Sequence, residues 1–143
     1  MKISNQYLAG FLDGEGYIGI NRHAKIKDKY QQFDLRVEIV NCDQVVIQRI
    51  AKKLGLEIIR REWRKVNWKP SYRASIGGNR AARLLRRLLP YLIVKKKQAK
   101  LAIEFQQMKN QKNWKKMNPD EYNDLKDSYR QEIKQLNHRG INN

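Results

Sequence analysis

The chain has 143 residues, with 31 Lys and Arg against 14 Asp and Glu, a formal net charge of +17 and an isoelectric point near 10.2. That length suits one domain with a real core, and the single Cys42 excludes an intrachain disulfide or a thiolate zinc site. The charge excess makes nucleic acid the leading partner, while the absence of a spanning apolar run or of a signal peptide in MKISNQYLAG excludes a membrane role and predicts a soluble, intracellular chain.

The first predicted element is a helix over Asn5–Gly14, inside which lies the string LAGFLDGEG, Leu8–Gly16. Gly10 and Gly14 stand at i and i+4 and share a helix face. A glycine inside a helix costs roughly 1 kcal/mol against alanine, so the pair points to a backbone that something approaches closely. Glu15 falls at the C-terminal end, where the helix dipole disfavours an anion and calls for a cation, a metal being the obvious candidate. A plainer reading stays open: a short apolar helix closed by Gly14 or Gly16 in a left-handed turn, with Glu15 solvated.

Alternation then predicts strands over Tyr17–His23 and Phe33–Asn41, joined by the basic stretch Ala24–Gln32. Asp43 is placed to cap a helix carrying Val46, Ile47, Ile50, Ala51 and Leu54, stopped by Gly55. Glu57–Arg64 and Ser71–Ile76 read as a hairpin, and a helix from about Asn79 carries Leu84, Leu85, Leu88 and Leu89 until Pro90. A further helix covers Lys96–Lys109, and Gln107–Lys116 reads as a linker. The last helix begins with Asn118 as cap, Pro119 at its first position and Asp120 and Glu121 in its first turn, and Asn137–Asn143 is expected to fray. The plan is α+β, αββαββα with a four-stranded antiparallel sheet and C-terminal helices. Residues 1–109 form the core, and 110–143 form a linker and a helix packing on it.

The strands' outward positions are rich in hydrogen-bonding side chains: Asn21, His23 and Lys25; Asp34, Arg36 and Glu38; Arg60, Glu62 and Arg64; Arg73 and Ser75. Such a face can pair with base edges in the major groove of double-stranded DNA, and its acids argue for base readout, because acids repel phosphate. Phosphate contacts are expected from Lys27, Lys29, Lys65, Lys69 and from Arg80, Arg83, Arg86 and Arg87. Trp63, Trp68 and Trp114 are expected to be buried aromatics without a site role.

The string Leu8–Gly16 resembles the LAGLIDADG motif of the homing endonucleases, identical at Leu8, Ala9, Gly10, Asp13 and Gly16, with Glu15 in place of the catalytic acid. The run Val37–Gly55 resembles that family's second strand and following helix, and Leu89–Leu101 the segment ending in its basic active-site residue. One copy of the motif implies a homodimer in which Gly10, Asp13 and Gly14 form the interface and both Glu15 carboxylates meet over the DNA minor groove. The resemblance implies Mg²⁺ held by Glu15 and the Gly14 carbonyl, with Ca²⁺ supporting binding without cleavage. It gives Asp43 a role in organising water or metal and Lys95 a role in stabilising phosphorane charge, the register among Lys95, Lys96 and Lys97 being open. Asp13 reads as structural. The implied activity is a double-strand break in a long pseudo-palindromic site with short 3′ overhangs. The alternative is a non-cleaving protein on the same fold, an intron RNA maturase or a DNA-binding regulator.

Overall fold

The computed structural model describes residues 2–27, 29–56, 58–61 and 70–138. Helix α1 (Asn5–Glu15) is capped by Ser4, whose hydroxyl accepts from Tyr7 N at 3.0 Å, and it buries Leu8, Ala9 and Leu12. It passes without a loop into β1 (Gly16–Lys27). A Cβ at Gly16 would stand 2.7 Å from the Leu12 carbonyl oxygen, so this helix-to-strand corner admits only glycine. Gly16 itself is extended, and neither it nor Gly14 adopts a positive φ, so the left-handed closing turn does not occur.

Strand β2 (Tyr30–Asn41) returns along β1, longer than the predicted strand because pairing continues to Lys27 and Tyr30 through the polar stretch. Helix α2 (Gln44–Leu54) follows, capped by Asp43 and ended by Gly55 at φ 67°. Strands β3 (Ile58–Arg61) and β4 (Ser71–Gly77) complete a sheet of order β1-β2-β4-β3, every neighbour antiparallel. Helix α3 (Gly78–Leu88) starts where β4 ends, and Pro90 turns its end into a short 3₁₀ segment. Helix α4 (Lys96–Asn110) absorbs the first residues of the expected linker, whose remainder holds a 3₁₀ turn, Lys112–Lys116. Helix α5 (Pro119–Asn137) begins as its cap and proline predict, with Asn118 accepting from Asp120 N.

Register sorts the side chains into two layers. Ile18 pairs with Val37 and Ile20 with Leu35, Val37 also faces Ile76, and this row is buried against Leu12, Ile47, Ile50, Leu84, Leu85 and Phe105. The alternate row forms the outer face. Among the described residues no helix is long and apolar enough to cross a membrane.

Among the described residues, β2 has a strand partner on one side only from Tyr30 to Leu35, since its pairing with β4 starts at Arg36. Side chains of α4 and α5 take up the main-chain groups there. Lys109 Nζ donates to the Phe33 carbonyl and Lys126 Nζ to that of Gln31, each at 2.6 Å. Asn123 accepts from Gln31 N at 3.0 Å and donates to the Lys29 carbonyl at 3.1 Å. At the other end of α5, Asn137 donates to the Ile18 carbonyl at 3.0 Å. Lys126 is 4% exposed, its ammonium 4.3 Å from the Tyr122 ring centre and 5.4 Å from that of Phe33. Trp114 stacks on Tyr122 at 5.2 Å.

Candidate functional site

Two surfaces carry chemistry. The first is the C-terminal end of α1. Gly10 and Gly14 are exposed, and a Cβ added at either would meet nothing within 4 Å among the described residues. The chain's own packing therefore gives no reason for glycine at these positions. Tyr7, one turn before Gly10, is 49% exposed, and Ile93 and Val94 beside the helix end are 85% and 69% exposed. Glu15 is the helix's last residue and is solvent-exposed.

Asp13 turns inward, and its carboxylate accepts from Ile93 N at 2.8 Å and from Lys95 N at 3.0 Å. The segment before α4 is thereby fixed to the end of α1. Lys95 closes the same contact from the other side, Nζ donating to the Asp13 carbonyl at 2.6 Å, while Lys96 and Lys97 are exposed. An ammonium thus lies against the carbonyl end of α1, two residues from Glu15, where the helix dipole favours a cation. Asp43 accepts from Val45 N at 3.0 Å and Val46 N at 3.3 Å, a helix cap, and Asn41 Oδ1 accepts from Asp43 N at 2.7 Å. Gly16 pairs with Ile39, so the end of β2 that leads to Asp43 runs back alongside the α1–β1 corner.

Among the described residues no three His, Cys, Asp or Glu side chains gather as a metal site. The exposed Glu15 carboxylate beside the last carbonyls of α1 is nevertheless a hard, all-oxygen donor set. It fits a magnesium ion that completes its shell from water and phosphate, and does not fit zinc or copper.

The second surface is the outer face of the sheet. Asn21 lies opposite Asp34, Tyr17 opposite Glu38, Glu38 opposite Ser75, and Arg36 between Gly19 and Gly77. A Cβ at Gly77 would stand 3.1 Å from Arg36 Nη1, and one at Gly19 would collide with the Tyr17 phenol, so these glycines make room for flanking side chains. The acids are paired. His23 Nε2 donates to Asp34 at 2.5 Å, with Lys109 3.6 Å away, and Arg73 stands 3.7 Å from Glu38. Burial alone would raise the Asp34 pKa, but the His23 hydrogen bond and the charges of Lys109 and His23 outweigh it and hold the carboxyl below its usual range. Burial, helped by Glu38 and opposed by Arg130, raises Tyr17.

Three sequence expectations change here. Along the β3 backbone Arg60 pairs with Tyr72 and Ile59 with Arg73, so the register does not align Arg60 with Arg73 or Ser75. Glu62 and Arg64, with Lys65, Lys69, Trp63 and Trp68, lie outside the described residues, and Lys25 falls at the irregularity between Arg22 and Ile26. The arginines of α3 lie in the helical layer, behind the sheet, and not beside the outer face. Tyr17 and Lys109 join the surface unforeseen. Continuing the alternation from Asn21 back through Gly19 finds Tyr17, whereas Lys109 comes from a helix distant in sequence.

A family model described as LAGLIDADG endonuclease matches residues 8–117. The chain belongs to that family. Solved LAGLIDADG structures share its fold. One is the homing endonuclease I-CvuI in complex with its target, at 26% identity and TM-score 0.59 over 72% of this chain and 65% of that one. A second is I-GzeII in complex with its DNA target, at 18% identity and TM-score 0.63, covering 79% of this chain and 38% of that one. A third is the archaeal intron-encoded endonuclease I-Vdi141I complexed with DNA, at 15% identity and TM-score 0.60, covering 87% and 95%. The chain spans 65% of the I-CvuI length. No curated protein sequence matches it.

Proposed function

We propose that two copies of this chain form a site-specific homing endonuclease that breaks both strands of a long pseudo-palindromic DNA site with Mg²⁺. The observation that carries the reading is the open glycine face of α1 ending in exposed Glu15. A second α1 packed on Gly10 and Gly14 about a two-fold axis brings two Glu15 carboxylates together and covers Tyr7, and two such carboxylates repel without a cation between them.

Glu15 and the Gly14 carbonyl are the protein's ligands in this assembly. Magnesium, when bound, supplies charge neutralisation at the scissile phosphate and an acidified water. Lys95, held by Asp13, places an ammonium beside the reacting phosphate, where it stabilises developing negative charge. Asp43, besides capping α2, follows the end of β2 that pairs beside Gly16, and in this reading it organises water or metal at the scissile phosphate. Asn21, Arg36 and Ser75 read base edges from the outer face, with the His23–Asp34 and Arg73–Glu38 pairs holding the neighbouring side chains in place. Residues 1–109 serve as the catalytic core, and 110–143 brace it.

The test is selection from a randomised duplex library with Mg²⁺ and separately with Ca²⁺, alongside Glu15→Gln. Cleavage of a two-fold-related site with Mg²⁺ only, lost in Glu15→Gln while binding persists, supports the reading. Tight selection without cleavage means a DNA-binding protein on this fold.

A further inference from the structure

The outer face mixes charge signs, whereas two neighbouring helices behind it, α2 and α3, carry only positive charge. Neither α2 nor α3 contains an Asp or Glu. Lys53 of α2 and Arg80, Arg83, Arg86 and Arg87 of α3 line one groove of about 420 Å³, whose remaining walls are Leu54, Ile76 and Leu84. Arg80 sets its width, Nη2 donating to the carbonyls of Leu54 at 2.9 Å and Gly55 at 3.3 Å, which ties the end of α2 to the start of α3. Lys53 donates to the Ile3 carbonyl. Arg83, Arg86 and Arg87 are exposed, and no ion pair to them occurs among the described residues.

Position separates this groove from the reading face. Ile76 belongs to the core-facing row, opposite Val37, while Ser75 beside it belongs to the outer row, opposite Glu38. The groove is thus lined from the core-facing side of the sheet, opposite the face that carries Ser75 and Glu38. The chemistry differs as well. Guanidinium forks match phosphate oxygens in pairs. Walls made only of cations and aliphatic carbon hold a polyanion with no preference among bases.

We infer that the α2–α3 groove is a second, sequence-independent binding site for the phosphate backbone of double-stranded DNA, so that one protein bridges two duplex segments. The inference rests on the DNA reading of the outer face. The occupant is DNA because the proposed substrate is a long polymer, which brings a second segment of itself to any protein bound on the first.

The experiment places the full chain on beads carrying a random-sequence duplex, then adds a second, fluorescent duplex. The expected result is capture of the second duplex. In Arg83→Gln/Arg86→Gln/Arg87→Gln that capture falls about tenfold or more while the protein stays on the beads, and in the corresponding triple Lys variant it is largely restored. Matching circular dichroism shows that each variant is folded. A protein that fails to stay on the beads at all overturns the DNA reading itself. Retention with capture unchanged in the Gln variant overturns the second site, and preferential capture of an RNA duplex overturns DNA as its occupant.

Discussion

The ammonium of Lys126 on α5 donates to the Gln31 carbonyl on β2 at 2.6 Å, across 95 residues of sequence, from inside a cage of Tyr30, Phe33 and Tyr122. Burial, with the like charge of Lys109 adding to it, lowers its pKa from 10.5 to about 8. The unfolded chain therefore binds more protons than the folded one between those values. The contribution of Lys126 to stability rises as pH climbs through that window and is level on either side. Thermal unfolding of Lys126→Met against the parent chain is expected to favour the variant more at pH 7 than at pH 10, the gap narrowing by on the order of 1–3 kcal/mol. A gap independent of pH would mean that this lysine titrates normally.

Gly10→Ala and Gly14→Ala separate folding from association. Neither Cβ meets anything among the described residues, and neither glycine has a positive φ, so each substitution should leave the monomer as stable or up to about 1 kcal/mol more so. Self-association in sedimentation should weaken by contrast. Unchanged association would remove α1 from the interface.

Asp43 is open to a two-variant dissection. Asp43→Ala deletes the cap and is expected to cost about 0.5–2 kcal/mol in denaturant unfolding, whereas Asp43→Asn keeps an acceptor for Val45 and Val46 and should cost little. Full cleavage by the Asn variant would confine Asp43 to capping. Loss of cleavage at full stability would place it in the chemistry.

Asp13→Ala frees the amides of Ile93 and Lys95 together. The expected outcome is faster hydrogen exchange at those two amides and a stability loss of about 1–3 kcal/mol. Exchange rates unchanged at both positions would show the segment held from elsewhere.

Where local chemistry decides an element, the chain spells it out. Asp43 and Gly55 bracket α2, and Asn118, Pro119, Asp120 and Glu121 open α5, because caps and dipoles act within one turn. The hairpin end past His23 was not legible. Its residues are polar and basic, and main-chain pairing with support from Asn123 and Lys126 extends the strands. The register of Arg60 was not legible, because Ile58–Arg61 has no alternation to read and its pairing comes from β4 alone. The arginines of α3 announced a phosphate partner, but the side of the sheet they occupy follows from the chain turning at Gly77 into the helical layer. At the candidate site, the position of Glu15 at the end of α1 and the shared face of Gly10 and Gly14 were legible from one nine-residue string. Lys95 was separable from its neighbours only through its contact with Asp13.

The unpaired half of β2 has a consequence beyond the monomer's own stability. An exposed run of strand donors and acceptors is a template on which another chain's strand can grow, and proteins commonly blunt such edges with lysine. Here Lys109, Asn123 and Lys126 occupy those groups from helices that arrive late in the sequence. During synthesis, therefore, the β1–β2 hairpin emerges before its stopper does. A chain cut ahead of α5 would keep Lys109 on the Phe33 carbonyl but bare the main-chain groups of Gln31 and Lys29, a nucleus for aggregation that the finished fold keeps shut.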